Sequence, residues 1–420
     1  MYNRVSLKNN LRIVTYPMEN LRSVSVGIWI NIGGRFEDSH NKGISHFLEH
    51  LVFKGSKKYS CEEIKQGIEG TGGALNGFTS EEFTCYLAKV LDKHIIRTVD
   101  ILSDMVINPL IPADEVEKER GVIIEEIKMY KDLPQHYVHE LLDSLLWPNH
   151  SLGMNLAGTV ETVSRISRQD LFNFQAKGYS AANIVIVICG AFDEKKVIEK
   201  IRDIFTRILA GRQTEYVGFK QRQTASRINV LNKPTEQTHL ALGYPALKCT
   251  HPQKYVLSLL HTILGANMSS RLFKEIREKR GLAYEIGTAI KRFADTGAFV
   301  VHAGIDNRNV IKTIDLILSE LEKIKKKLPS KDEFRRAKDF YCGQMIMALE
   351  DSLNQMLMLG EDVITQDRIF SAEDILKQIQ AIKIEEISEL ARDIFERSKI
   401  NIALIGPDDS IQKKIKQLLA

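Results

Sequence analysis

The sequence predicts an α+β protein of two homologous α/β-layered domains, each an antiparallel-rich mixed sheet packed with helices, together forming a clamshell. Three observations predict it. The chain repeats itself once, at an offset of roughly 215 residues. Its 420 residues exceed what one ordinary core holds. Apolar residues make up 44% and charged residues 27%, a globular balance that excludes extensive disorder.

The first element is a hairpin: "RVSL", a turn at Lys8, Asn9 and Asn10, then "LRIVTY". The Asn pair tolerates the positive φ of a tight turn. Further strands are expected at "SVSVGIWINIG", "ALNGFTSEEFTCYLAKV" and "NIVIVICG", and in the second half at "RINVLNKP", "QTHLALGYPAL" and "GAFVVHAGID". The repeat rests on two pairs of segments. His94 to Ile127 resembles Asn309 to Met345: each is an amphipathic helix, a proline-marked break and a second helix with acidic residues at its start. Asn183 to Phe205 resembles Ile400 to Leu419: each is an apolar strand closed by glycine, an acidic turn and a helix. The polar stretch "AGRQTEYVGFKQRQT" is the natural connector. The expected domains are therefore 1–210, a linker at 211–224, and 225–420.

A net charge of +4 is small for this length and makes no case for nucleic acid. Five scattered cysteines without CxxC spacing suit reduced thiols in a cytoplasmic compartment. No apolar run approaches the roughly 20 residues that span a bilayer. The opening residues lack a basic region followed by an apolar core, so no signal peptide is expected.

The chemistry lies in "GISHFLEHLVFKG". Residues on a helix advance about 100° each, so His46 and His50 sit about 40° apart and Glu49 about 60° from His46. Two imidazoles one turn apart can grip one zinc ion with a carboxylate beside them, in the inverted HxxEH order. A catalytic zinc takes three protein ligands and keeps one position open. The acidic helix "EKERGVIIEEIKMY" can supply the third. There Glu119 and Glu126 are two turns apart on one face, interleaved with Ile123 and Ile127, where an unpaired carboxylate is costly to bury. Glu117 and Glu125 read as solvated.

With "GGRFED", "GGALNGFTSEEFTCY", "KERGVIIEEI" and "RLFKEIREKRGLAYEI", these marks make nearly the whole chain resemble the pitrilysin/insulinase family of zinc peptidases. It looks closest to the short two-domain branch that includes the mitochondrial processing peptidase beta subunit and bacterial relatives. The resemblance implies His46, His50 and Glu126 as ligands of one Zn2+ per chain, with Glu125 the alternative third ligand. Glu49 would be the general base. Glu119 would orient a zinc-binding histidine. Arg277 and Tyr284 would reach the substrate from the second half, with Tyr284, in a turn beyond a helix end, steadying the tetrahedral intermediate. Asn76, Gly77 and Phe78 would form an exposed strand to which a peptide adds. Gly77, where relatives commonly carry alanine, is expected to loosen that edge.

The second half lacks HxxEH, and its His261 reads as a satisfied helix histidine. The implied function is a zinc-dependent endopeptidase acting on unfolded peptides or presequence-like segments enclosed between two domains. The alternatives are a catalytic subunit of a heteromeric processing peptidase, or a non-catalytic scaffold. The expected partners are a peptide substrate and a second copy or related subunit.

Overall fold

The computed structural model describes residues 2–408 and 410–419. β1 (Asn3–Ser6) and β2 (Arg12–Pro17) form the expected hairpin, with Asn10 at a positive φ of 70°. β3 (Ser23–Ile30) follows. The candidate "ALNGFTSEEFTCYLAKV" is two strands, β4 (Ala74–Thr79) and β5 (Thr84–Leu91), paired about a polar turn. β6 (Ile184–Gly190) completes a sheet of order β1-β2-β6-β3-β5-β4. In it β2 and β6 run parallel and the other neighbours antiparallel.

The second sheet contains β7 (Arg227–Asn232), β8 (Gln237–Pro245), β9 (Ala283–Arg292), β10 (Gly297–Asp306) and β11 (Asn401–Gly406), in the order β7-β11-β8-β10-β9. Again one pair is parallel, β7 with β11, and the rest antiparallel. Without β1, the first sheet has the same order and sense, strand for strand. The sequence repeat is a repeat of topology. β9 departs from expectation: it lacks apolar alternation and is held by its pairing with β10. Tyr284 is therefore its second residue and not part of a turn.

The central strands of each sheet are buried on both faces, which explains the apolar run of β3 at residues 26–30. On one face of the first sheet, Val26, Ile28, Tyr86 and Ala88 share a core with Phe47, Leu48 and Leu51 of the helix Ile44–Val52 and with Ile101 and Leu102 of Ile95–Ile107. On the other face, Trp29, Val185 and Val187 meet Met356, Leu359 and Val363 of the helix Ser352–Gln366. The approach is close. A Cβ on Gly360 would lie 2.1 Å from the Trp29 indole, and one on Gly27 would lie 2.5 Å from the Met356 sulfur. In the second sheet, Ala241, Ala298, Val300 and Ala403 pack with Val138, Leu142 and Leu146 of the helix Pro134–Leu146.

Two compact units result. One is Met1–Lys128, Met154–Val217 and Met347–Phe370; the other is Met129–Gly153, Gly218–Ile346 and Ser371–Ala420. They depart from the contiguous division 1–210, 211–224 and 225–420 because each half of the chain gives one sheet-covering helix to the other half's sheet. An apolar stripe says that a helix is buried, not which sheet buries it. Among the described residues no cysteine forms a disulfide, and no helix is long and apolar enough to cross a membrane.

Gly360→Ala should therefore overpack the Trp29 contact and cost about 1–3 kcal/mol, read as a lower Tm. Gly343→Ala, at a helix position with nothing within 4 Å of the added methyl, should leave Tm unchanged or raise it, by about 0.5–1 kcal/mol at most. Equal Tm shifts for the two variants would contradict this packing.

Candidate metal centre

The helix Ile44–Val52 is fixed at its start by a buried carboxylate. Glu37 accepts hydrogen bonds from the backbone N–H groups of Gly43 (3.0 Å) and Ser45 (2.7 Å), and its oxygen lies 3.2 Å from Lys42 Nζ. These are unpaired donors of the helix N-terminus, where negative charge is favoured. Gly43 sits at φ 98°, where a Cβ would strike the Ala157 carbonyl at 2.4 Å. Phe47, Leu48, Leu51 and Val52 then face the core, which leaves His46, Glu49 and His50 half-buried on the remaining side.

The helix Ala113–Asp132 brings the acidic face. Val116, Ile123 and Ile127 bury its inner stripe, together with Glu119. Glu126 Oε2 lies 3.8 Å from both His46 Nε2 and His50 Nε2. The imidazole centroids are 4.6 Å apart. One donor atom from each of His46, His50 and Glu126 falls within 4.8 Å of the other two. Glu125, the alternative, is 73% exposed and pairs with Lys128. Glu117 likewise points outward, to Arg120.

The donor set fits zinc. Nitrogen and carboxylate ligands lie about 2 Å from the ion, so donors spaced at 3.8 Å can surround one cation after a small contraction. His46 is neutral at ordinary pH: burial, then the neighbouring His50, push its pKa down to about 4. Neutral imidazole is the ligating form. His50 Nδ1 lies 2.9 Å from Glu119 Oε2, which leaves Nε2 as the lone-pair nitrogen facing Glu126. Burial raises Glu119, but Lys54, 2.6 Å from its other oxygen, and His50 outweigh it and hold the carboxyl below its usual range. Lys54 was missed in the sequence, although it stands one turn after His50.

Glu49 is raised to about 7, first by burial; His50 opposes the shift and Glu126 adds to it. A cation at Glu126 would act the other way and favour the carboxylate. β4 is the edge strand beside it. A Cβ on Gly77 would lie 2.9 Å from Glu49 Oε1 and 2.9 Å from the Phe53 ring. Gly77 thus makes room for Glu49, a role that the expectation of a loosened edge did not contain. Asn76 and Phe78 flank it, with their residues paired to Leu87 and Cys85 on β5.

The remaining expected residues belong to the second unit. Arg277 lies in a short helical segment, Phe273–Glu278, and Gly281 follows at φ 60°. Its guanidinium is 5.4 Å from the Tyr284 ring, and Tyr284 is 76% exposed. His261 Nδ1 lies 2.7 Å from Thr288 Oγ1, a satisfied helix histidine.

A doubled α/β sheet domain with an inverted histidine–glutamate–histidine cluster in its first half defines a class of metallopeptidase-like proteins. The insulinase (peptidase family M16) model matches residues 12–160, and the peptidase M16 inactive domain model matches residues 165–341. The chain belongs to peptidase family M16. It is 34% identical to an uncharacterized zinc protease of Streptomyces coelicolor, over 96% of this chain and 89% of that one. It is 32% identical to the uncharacterized zinc protease YmxG of Bacillus subtilis, over 98% of this chain and 100% of that one. Among solved structures, a protease from Helicobacter pylori shares the fold with a TM-score of 0.89 at 23% identity, over 97% of this chain and 99% of that one. The two zinc-protease relatives support a peptidase role at the level of the family, and the solved structure shows the fold.

Removing the carboxylate behind His50 should weaken the metal site without changing its ligands. Glu119→Gln is expected to lower zinc affinity about 10- to 100-fold in a chelator competition. Unchanged affinity would show that the His50–Glu119 contact does nothing for metal.

Proposed function

We propose that this chain is a zinc-dependent endopeptidase that hydrolyses unfolded peptides or presequence-like segments. The observation that best supports this reading is the convergence of His46, His50 and Glu126 on one point, with Glu49 beside it. In this reading those three residues hold one Zn2+ per chain, and Glu119 and Lys54 orient His50. When bound, zinc supplies Lewis acidity toward a peptide carbonyl and makes a water more acidic.

Glu49 takes a proton from the attacking water and returns it to the leaving amine. The backbone of Asn76 to Phe78, on an edge strand, hydrogen-bonds an extended substrate as an added strand, a mode tolerant of side-chain sequence. Tyr284, exposed and stacked with Arg277, donates its hydroxyl to the developing oxyanion, and Arg277 helps seat the substrate. Five cysteines with no disulfide among the described residues favour a reducing, cytoplasm-like compartment for this activity.

Glu49→Gln should retain one zinc per chain by metal analysis and lose about 10²- to 10⁴-fold in cleavage of an unfolded peptide mixture. Full activity in that variant would remove the mechanism. A preference for extended, unfolded chains added to an edge strand predicts that fragments of a stable protein are cut much faster than the folded protein itself. Equal rates, read by mass spectrometry, would contradict that preference.

A further inference from the structure

The second unit carries a group of imidazoles that the proposed reaction does not use. His136 and His139 stand in the first two turns of the helix Pro134–Leu146, His239 on β8 and His302 on β10. With Glu285 of β9 they line one cavity of about 330 Å³. Four of the chain's 11 histidines meet there. The neighbouring part of the same helix–sheet layer is apolar, built from Val138, Leu142, Ala241 and Val300.

Strand register provides the space. His302 stands opposite Gly287, where a Cβ would lie 3.0 Å from its Nε2, and His239 stands opposite Gly304. The His139 and His302 rings are 5.7 Å apart between centroids, and Glu285 Oε1 is 4.0 Å from His302 Nε2. Two imidazoles bound to one zinc, each nitrogen about 2 Å from it, have centroids roughly 5–6 Å apart. Glu285 faces His302 through Nε2, so Nε2 is the nitrogen that an ion shared with Glu285 would take.

We propose that this pocket binds a second divalent cation of the zinc class through His139, His302 and Glu285, with His239 as a fourth donor. Imidazole and carboxylate together suit such an ion better than they suit calcium or magnesium. The set is not closed in this structure. Among the described residues only His46, His50 and Glu126 bring three donors within 4.8 Å of one another. Closure requires the Glu285 carboxylate, 71% exposed, to turn inward, so the second site is weaker than the first. Once occupied, it clips the helix Pro134–Leu146 to β9 and β10.

The test is equilibrium dialysis of the full chain against Zn2+, followed by metal analysis, with Ca2+ as the control ion. The wild type should bind two zinc ions. H46Q/H50Q should keep the weaker one, and adding His139→Gln and His302→Gln should abolish it. Zinc should raise the Tm of H46Q/H50Q. If the fourfold variant does not fold, Glu285→Gln in the H46Q/H50Q background serves instead, with binding weakened at least about tenfold. No zinc bound to folded H46Q/H50Q, or binding indifferent to these pocket substitutions, overturns the proposal. Either result leaves the peptidase reading untouched, because that reading is carried by His46, His50, Glu126 and Glu49, none of which lines this pocket.

Discussion

Three carboxylates, Glu49, Glu119 and Glu126, crowd two imidazoles on the half-buried side of the helix Ile44–Val52. Lys54 offsets one of them, at 2.6 Å from Glu119. Burial makes the remaining negative charge expensive, as the raised Glu49 shows. A divalent cation between His46, His50 and Glu126 would resolve this conflict, because it would pair with a carboxylate and use imidazole lone pairs together. The rest of the first unit can be understood as the support for that arrangement.

The support acts at both ends of the helix and along its side. Glu37 ties down the N-terminal N–H groups, Gly43 lets the chain enter against Ala157, and Phe47 and Leu51 anchor the helix in the core. The acidic helix is positioned by its own buried stripe, Val116, Ile123 and Ile127, so that Glu119 and Glu126 face the histidines two turns apart. On the third side, β4 approaches so closely at Gly77 that a methyl group there would touch Glu49. An edge strand and the Glu49 carboxylate are thereby set within contact of each other by the absence of one carbon atom.

Duplication explains why the two sheets share strand order, and divergence explains why they differ in chemistry. The first copy keeps its polar cluster on a helix packed against the sheet. The second lacks HxxEH and has its imidazoles between the sheet and the helix Pro134–Leu146, at positions where Gly287 and Gly304 leave space. The same architecture thus tolerates polar groups in two quite different layers, provided that small residues open a cavity for them.

Much was legible in the sequence because the physics behind it is local. The opening hairpin, the helix that groups His46, Glu49 and His50, and the repeat all follow from turn preference, a fixed rotation per residue and matched segment order. The pairing of Glu119 with Glu126 on one face is likewise local. What was not legible depends on packing between distant segments. The sheet pairing that makes β9 a strand around Tyr284, the exchange of helices Pro134–Leu146 and Ser352–Gln366, and the nearness of Gly77 to Glu49 have no periodic signature. Nor has the choice of Glu126 over Glu125, which turns on which of two adjacent side chains the buried stripe rotates inward. Sequence alone determined most of the elements and the donor types. Tertiary structure decided which donors meet, because the distance between segments far apart in the chain is set by the packing of the whole core.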